Sequence, residues 1–177
     1  ALLRSGKAEE SLEFMLESVR TLERYHGARP TDVQGREKLM AAHVNTANTL
    51  NTLARFDDAE PHTLAGVELG EALVKEFPEV HSYRSGFALA LNQSCQYAFQ
   101  RRDYTQAAAV LKRALQQQEV LAVGRPADIG LRAEMAVAYG NLSSVQLQLG
   151  DCEESLESAD QGLESIGRAL ALFTRPR

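Results

Sequence analysis

Several residue types and patterns that mark common protein classes are scarce in this sequence. Tryptophan is absent, and no run of β-branched or aromatic residues is long enough to predict a strand. The two cysteines, Cys95 and Cys152, are too few for a disulfide framework in 177 residues, so we expect a reducing, cytoplasmic compartment. Apolar runs such as Phe87–Leu91 are far shorter than a membrane-spanning segment, and we therefore expect no membrane insertion.

The sequence also lacks the charge pattern of nucleic-acid-binding proteins and the motifs of the common enzymes. Its formal net charge is −5, whereas phosphate contacts favour a basic face. It contains no glycine-rich phosphate loop, no nucleophile elbow and no zinc-binding His-Glu-x-x-His motif. Glu23 and His26 form one Glu-x-x-His pair, but a di-metal helical bundle needs two such pairs and two further carboxylates. We expect no nucleic-acid partner, no enzyme activity, no cofactor and no metal site.

What the sequence does contain favours helices throughout. Ala, Leu, Glu, Gln and Arg, which are strong helix formers, dominate the composition, so we expect the all-α class. The chain begins with ALLRSGKAEESL, which resembles the middle of a helix, and it has no initiator methionine. We interpret the chain as part of a longer protein.

Residues of matched chemistry recur at a constant spacing of 48. Two columns are identical in three places: Pro30, Pro78 and Pro126, and Arg36, Arg84 and Arg132. Further columns share this register, and they are Ala8, Phe56, Tyr104 and Cys152; Val19, Val67, Leu115 and Leu163; the small residues Ser18, Gly66, Ala114 and Gly162; and the apolar set Leu39, Phe87 and Met135. Several columns in one register are typical of a repeat architecture. We predict one repeat domain with a half repeat at 1–30 and repeats at 31–78, 79–126 and 127–174.

Each unit is predicted to hold two antiparallel helices, A and B, and a lone helix B at the start brings the total to seven. In unit two, helix A spans Tyr83–Gln100, because apolar or small residues recur there at helical spacing. Helix B follows at about 104–123 and stops at Gly124 and Pro126. In unit one, Pro61 is expected in the first turn of helix B, where proline is tolerated.

A single helical hairpin cannot bury its apolar face alone, so stacked units are expected to complete the core as a solenoid. Where helices A and B cross, close approach needs small side chains, and one column supplies them: Ser18, Gly66, Ala114 and Gly162. The three recurring arginines open helix A, where a positive charge opposes the helix dipole. They are either ordinary solvated charges or partners of the glutamates that recur near the end of the preceding helix B, namely Glu23, Glu71 and Glu119.

In these columns the sequence resembles the tetratricopeptide repeat family. The family pattern has a small residue in helix A, an aromatic residue after the turn, an alanine three residues later and another small residue further on. The matching residues are Ala47, Phe56, Ala59 and Gly66 in unit one, Cys95, Tyr104, Ala107 and Ala114 in unit two, and, less completely, Ser143, Cys152, Ser155 and Gly162 in unit three. The resemblance implies a right-handed α–α superhelix. The usual period of the family is about 34 residues, so a longer unit implies longer helices.

The long unit, with segments such as FPEVHSYRSGFALALN and YGNLSSVQLQLGD, is similar to repeats that follow the catalytic domain of bacterial serine/threonine protein kinases, notably from planctomycetes. No kinase motif occurs in the chain itself. The resemblance implies a scaffold or regulatory docking module of a larger signalling protein, with a protein or peptide partner. The alternative is self-association into a homodimer through the end helices, where apolar residues lack a neighbour on one side: Met15, Val19, Leu22, Leu163, Ile166 and Leu170.

Members of the family bind extended peptides in a concave groove lined by helix A, and the resemblance implies the same here. The groove positions carried over are Asn45, Asn48, Thr52, Asn92, Gln93, Gln96, Asn141 and Ser144. Asn45, Gln93 and Asn141 share the spacing of 48, and their amides can either pair with a peptide backbone or simply contact water. Basic residues of family members that clamp a carboxylate are replaced here by Ala41, Leu89 and Val137, which favours a neutral or apolar peptide.

Overall fold

The structure is a computed structural model that describes residues 2–173, with side chains for residues 9–172. The described residues form seven α-helices and no strand, which confirms the predicted class and number of helices. The helices are α1 (Leu2–Ala28), α2 (Val33–Thr52), α3 (Phe56–Glu76), α4 (His81–Gln100), α5 (Tyr104–Gly124), α6 (Ile129–Leu149) and α7 (Cys152–Phe173). None of the described helices has the length and apolarity that crossing a bilayer requires.

Side-chain caps and backbone conformation fix the ends of several helices. Asp32, Asp103 and Asp128 each accept a hydrogen bond from a backbone N–H at the start of α2, α5 or α6, at 3.2, 2.9 and 3.0 Å. Such bonds satisfy donors that have no partner within the helix. The turns after α2, α4 and α6 each contain a residue with φ of 58°, 58° or 87°, in order Ala54, Arg102 and Gly150. This left-handed conformation ends a helix and reverses the chain.

Pro61 lies further inside its helix than the sequence predicts. Because α3 begins at Phe56, Pro61 is beyond the first turn, and the prediction that it lies in that turn is wrong. Proline has no N–H to donate to the carbonyl of Asp57, yet the helix continues to Glu76. Asp57 and Asp58 favour this earlier start, since acidic residues in the first turn interact well with the helix dipole.

The chain divides into two compact units, Ala1–Tyr97 and Ala98–Arg177. In the first unit α1 packs on α2 and α2 on α3, and α3 contacts α4 through Gly70 and Phe87. Its core contains two clusters of buried residues, Leu12, Ala47, Leu50 and Ala59, and Met40, Val44, Leu73, Tyr83 and Ala90. The apolar stripes of consecutive helices therefore cover each other within this unit.

Two glycines of α3 lie at close contacts with α2 and α4. A Cβ atom at Gly66 would be 3.1 Å from Val44 and 3.6 Å from Ala90, and one at Gly70 would be 3.0 Å from the Cα atom of Phe87. The close approach that the sequence predicts at Gly66 is confirmed. The same prediction is wrong for Ser18, which is exposed because it lines an open groove.

In the second unit α5 packs on α6 and α6 on α7, around Leu121, Ala122, Leu131 and Met135. The buried side of α7 consists of small residues: Ser155, Ser158, Gly162, Ser165 and Ala169. A Cβ atom at Gly162 would be 3.3 Å from Tyr139, which confirms a close approach there as well. The Ser155 hydroxyl donates to the Ser143 carbonyl at 2.9 Å. The small residues let α7 lie close to α6.

The large apolar residues of α7 lie on its opposite side and face solvent. Leu156 is 70% exposed, Leu163 66% and Leu170 58%, and Ile166 is also exposed. The exposure predicted for Leu163, Ile166 and Leu170 is therefore confirmed. In α1, by contrast, Val19 is buried, so the prediction of a bare Val19 is wrong. Val19 is covered because α1 packs on α2.

The first of the recurring arginines has a different partner from the one considered in the sequence. The Nη1 atom of Arg36 at the start of α2 lies 2.6 Å from Glu76 Oε2 at the end of α3. The predicted Arg36–Glu23 pair is therefore wrong, and Glu23 lies beside His43 instead. The guanidinium of Arg36 holds the pKa of Glu76 below its usual value. The ion pair joins the start of one helix to the end of the next.

Candidate functional site

Three of the predicted groove residues lie on α2 and face solvent. Asn45, Asn48 and Thr52 are exposed, and they are spaced so that they follow one side of the helix. The Thr52 hydroxyl donates to the backbone carbonyl of Asn48 at 2.9 Å. The amide of Asn45 borders a groove.

The predicted residues of α4 do not share one environment. Gln96 is exposed and Asn92 is half-buried, but Gln93 is only 8% exposed. Its Oε1 atom accepts a hydrogen bond from Asn51 Nδ2 at 2.8 Å, and its Nε2 atom donates to Asn48 Oδ1 at 3.3 Å. Gln93 therefore joins α4 to α2 and does not present its amide to solvent.

Asn141 and Ser144 on α6 belong to the second unit and are both exposed. The Ser144 hydroxyl donates to the backbone carbonyl of Gly140 at 3.0 Å. Within the second unit these two residues therefore mark an exposed polar stretch of α6.

In the first unit, a groove of about 670 Å³ runs between α1 and α2. Phe14 is its largest apolar side chain and is 72% exposed. The groove is lined by Phe14, Glu17, Ser18, Thr21, Leu22, Lys38, Ala41, Ala42 and Asn45. It combines an exposed ring, small apolar residues that leave space, an amide, and one charge of each sign. The sequence predicts Asn45 but not Phe14, whose only signal is that it is a large apolar residue of α1 away from the buried Leu12 and Val19.

A histidine pair lies between α2 and α3. The Nδ1 atoms of His43 and His62 are 3.0 Å apart, and Glu23 Oε1 on α1 is 3.8 Å from His43 Nε2. Burial lowers the pKa of His43 to about 4, with a further contribution from His62. Burial also lowers the pKa of His62, against the opposing charges of Glu23 and Asp58. Both rings are therefore neutral at pH 7, and among the described residues no group of three metal-binding side chains forms.

In the second unit, a cavity of about 410 Å³ opens between α5, α6 and α7. The Tyr139 hydroxyl donates to Glu119 Oε1 at 2.7 Å inside it, and burial raises the pKa of Tyr139. Glu119 is thus bound to a tyrosine, and the predicted Arg132–Glu119 pair is wrong. Arg132 lines the same cavity, and its Nε atom is buried without a hydrogen-bond partner among residues 9–172.

The two cysteines have different surroundings. Cys95 is buried and Cys152 is exposed, and neither is in a disulfide. Burial raises the pKa of the Cys95 thiol to about 11, so the thiolate is scarce at neutral pH and the thiol is not activated as a nucleophile. This confirms the interpretation of Cys95 as a packed core residue.

No protein-family model matches this chain. A search of curated proteins finds no match either.

Proposed function

We propose that this chain is a protein–protein interaction scaffold whose groove between α1 and α2 binds an extended peptide segment of a partner. The observation that carries the proposal is the 72% exposure of Phe14 beside the Asn45 amide. Aromatic side chains at the centre of a pocket contribute much of the binding energy in protein interfaces. An amide next to the ring offers both a donor and an acceptor to a peptide backbone.

The chemistry of the groove favours a mostly neutral peptide with one large apolar side chain. Ala41 and Ala42 leave room next to Phe14, and the two charged residues, Glu17 and Lys38, balance each other. A strongly charged peptide would gain little from such a lining, whereas an apolar side chain would remove the Phe14 ring from water. This proposal keeps Asn45 from the predicted site and replaces Gln93 with Phe14.

We extend the proposal to the repeat itself. The period of 48 residues is supported by the left-handed turn residues Ala54, Arg102 and Gly150, which are spaced 48 apart. The right-handed superhelix is proposed from the resemblance to tetratricopeptide repeats. The similarity to repeats that follow bacterial kinase domains supports a place in a larger signalling protein as a regulatory docking region.

The test is selection of binding peptides from a random library, followed by affinity measurements with purified variants. Phe14→Ala removes the exposed ring, and Leu64→Ala is the matched control, because Leu64 is also an exposed apolar residue of the first unit but lies on α3. We expect the selected peptides to bind Phe14→Ala about tenfold more weakly or worse, and Leu64→Ala as well as the unchanged chain. Equal losses in both variants would contradict the assignment of the groove.

A second candidate function, self-association, is favoured by the exposed side of α7. Leu163 and Leu170 are exposed, whereas the residues 48 positions earlier on α5, Leu115 and Ala122, are buried. On α5 this side packs against α6. The same side of α7 is therefore shaped to receive a helix, and we propose that a second copy of the chain supplies it.

A further inference from the structure

We propose that the cavity between α5, α6 and α7 binds a carboxylate group, with Arg132 as its counter-ion. The site lies in the second unit, so the inference goes beyond the peptide groove and does not depend on it. Arginine is charged at every pH of interest, and a partly buried guanidinium without a carboxylate partner is costly. The structure places such a guanidinium on the wall of an open cavity.

A comparison between two helix starts shows what Arg132 lacks. Arg36 occupies the first turn of α2 as Arg132 occupies that of α6, and Arg36 contacts the Glu76 carboxylate at 2.6 Å. Glu76 is 40 residues after Arg36, and the residue 40 positions after Arg132 is Leu172. A leucine cannot neutralise the guanidinium. The first unit therefore pairs its arginine with a carboxylate, whereas no carboxylate among the described residues of the second unit pairs with Arg132.

The other charged groups of the cavity already have partners. Arg168 Nη2 lies 2.5 Å from Glu164 Oε1, and Glu119 accepts from Tyr139 at 2.7 Å. Among the described residues, Arg132 is the one charged side chain of this lining that has neither an ion pair nor a side-chain hydrogen bond. Its backbone carbonyl is held by the Ser165 hydroxyl at 2.7 Å, which ties the first turn of α6 to α7. The backbone of Arg132 is thus held by α7, while the positive charge of its guanidinium has no partner among the described residues.

The lining also selects among anions. Glu119 and Glu164 border the cavity, so a dianion such as phosphate meets more repulsion than a singly charged carboxylate does. Ala122, Val123 and Met135 provide an apolar wall, which suits a carboxylate that carries a short aliphatic group. Such a carboxylate can come from the C-terminus of a peptide, from an acidic side chain or from a free small acid.

The experiment follows the side-chain Nε–H signals of arginine in the ¹⁵N-labelled chain by NMR during titration with small probes. N-acetyl-leucine represents a chain terminus, N-acetyl-glutamate α-amide an acidic side chain, and propionate a free acid, with N-acetyl-leucinamide and phosphate as controls. We expect a saturable shift of the Arg132 signal with at least one carboxylate and none with the neutral amide. The tightest-binding carboxylate identifies the source.

Two variants separate this site from general charge effects. Arg132→Gln is expected to weaken binding at least tenfold, whereas Arg125→Gln, which removes a charge outside the cavity lining, leaves it unchanged. Phe14→Ala also leaves it unchanged, so failure here and failure of the peptide groove are distinguishable. The wild-type Arg132 signal provides a test even if Arg132→Gln does not fold. Equal shifts with the neutral amide, tighter binding of phosphate, or equal losses in Arg125→Gln would each overturn the proposal.

Discussion

His43 on α2 and His62 on α3 face each other through their Nδ1 atoms, which are 3.0 Å apart. This contact is a hydrogen bond only if one nitrogen carries a proton and the other does not. When both rings are protonated, two N–H groups and two positive charges meet. Two carboxylates act on the pair, Glu23 from α1 and Asp58 from α3, the helix that also carries His62.

We predict that this pair makes the stability of the protein depend on pH. The folded-state pKa of His43 is about 4, below that of an unfolded histidine, so the unfolded state binds more protons. The contribution of neutral His43 to the free energy of unfolding is fully present above about pH 6.5. It is lost as the pH falls towards 4, and the loss is at most about 3 kcal/mol. Urea unfolding between pH 7.5 and 4.5 measures the free energy of unfolding.

The control for the histidine pair is His43→Gln, which has no titrating ring. Carboxylates also titrate at acid pH, so the comparison concerns the difference between the two proteins. The free energy of unfolding of the variant should change less over this range than that of the unchanged chain. Identical pH profiles would show that the pair is not responsible.

Gln93→Ala is predicted to destabilise the fold although it replaces a polar residue on a helix. Removing the amide leaves the buried Asn51 Nδ2 atom without its acceptor at 2.8 Å, and an unsatisfied buried donor costs about 1–3 kcal/mol. Gln96→Ala, an exposed glutamine on the same helix, should change stability by less than about 0.5 kcal/mol. Thermal unfolding followed by circular dichroism compares the two. A Gln93→Ala change as small as that of Gln96→Ala would contradict the hydrogen-bonded link.

Gly70→Ala is predicted to disturb the contact between α3 and α4. The added Cβ atom would lie 2.9–3.0 Å from three atoms of Phe87, one of them its Cα, and backbone cannot move away as a flexible side chain does. Overpacking of this kind costs about 1–3 kcal/mol. Gly140→Ala, at a helical position with nothing within 4 Å of the new Cβ, should instead stabilise by about 0.5–1 kcal/mol. Denaturant unfolding gives both values, and the opposite order would refute the close approach.

Leu163→Glu is predicted to abolish self-association if α7 forms the interface. The leucine is 66% exposed at the middle of the apolar side of α7, and a charge there opposes helix-to-helix packing. Sedimentation equilibrium should show a mass that rises with concentration towards that of a dimer for the unchanged chain and a monomer for the variant. Leu147→Glu, at an exposed leucine of α6, is the control and should still associate. A monomeric unchanged chain at all concentrations would remove the second candidate function.

The helices could be predicted from the sequence because their signals are local. Apolar residues at helical spacing and breaks such as Gly124 to Pro126 are read from neighbouring positions, and the predicted span Tyr83–Gln100 differs from α4 only at its first residues. The start of α3 was harder, since Pro61 and the acidic pair at 57–58 are competing signals for one helix end.

The candidate site was less predictable because it depends on which helices meet. Gln93 is polar and shares the spacing of 48 residues with Asn45 and Asn141, so the sequence predicts that it faces solvent. Its burial is explained only by the position of its hydrogen-bond partner Asn51 on α2. The histidines are 19 residues apart on different helices, a separation that matches no ligand motif. For Arg132, the sequence signal is Leu172, which stands where the first unit has Glu76. This replacement can be recognised only after the Arg36–Glu76 contact is known.

The arrangement of small and large residues on α7 has a consequence for how a stack of such helices can grow. Capping helices of repeat arrays usually turn a polar face to water, whereas α7 has its serines buried and its leucines exposed. A polar capping helix would disfavour an incoming neighbour, whereas exposed leucines would favour one because contact removes them from water. Because leucine side chains make no hydrogen bonds, their contact with such a neighbour would depend on how well the two surfaces fit.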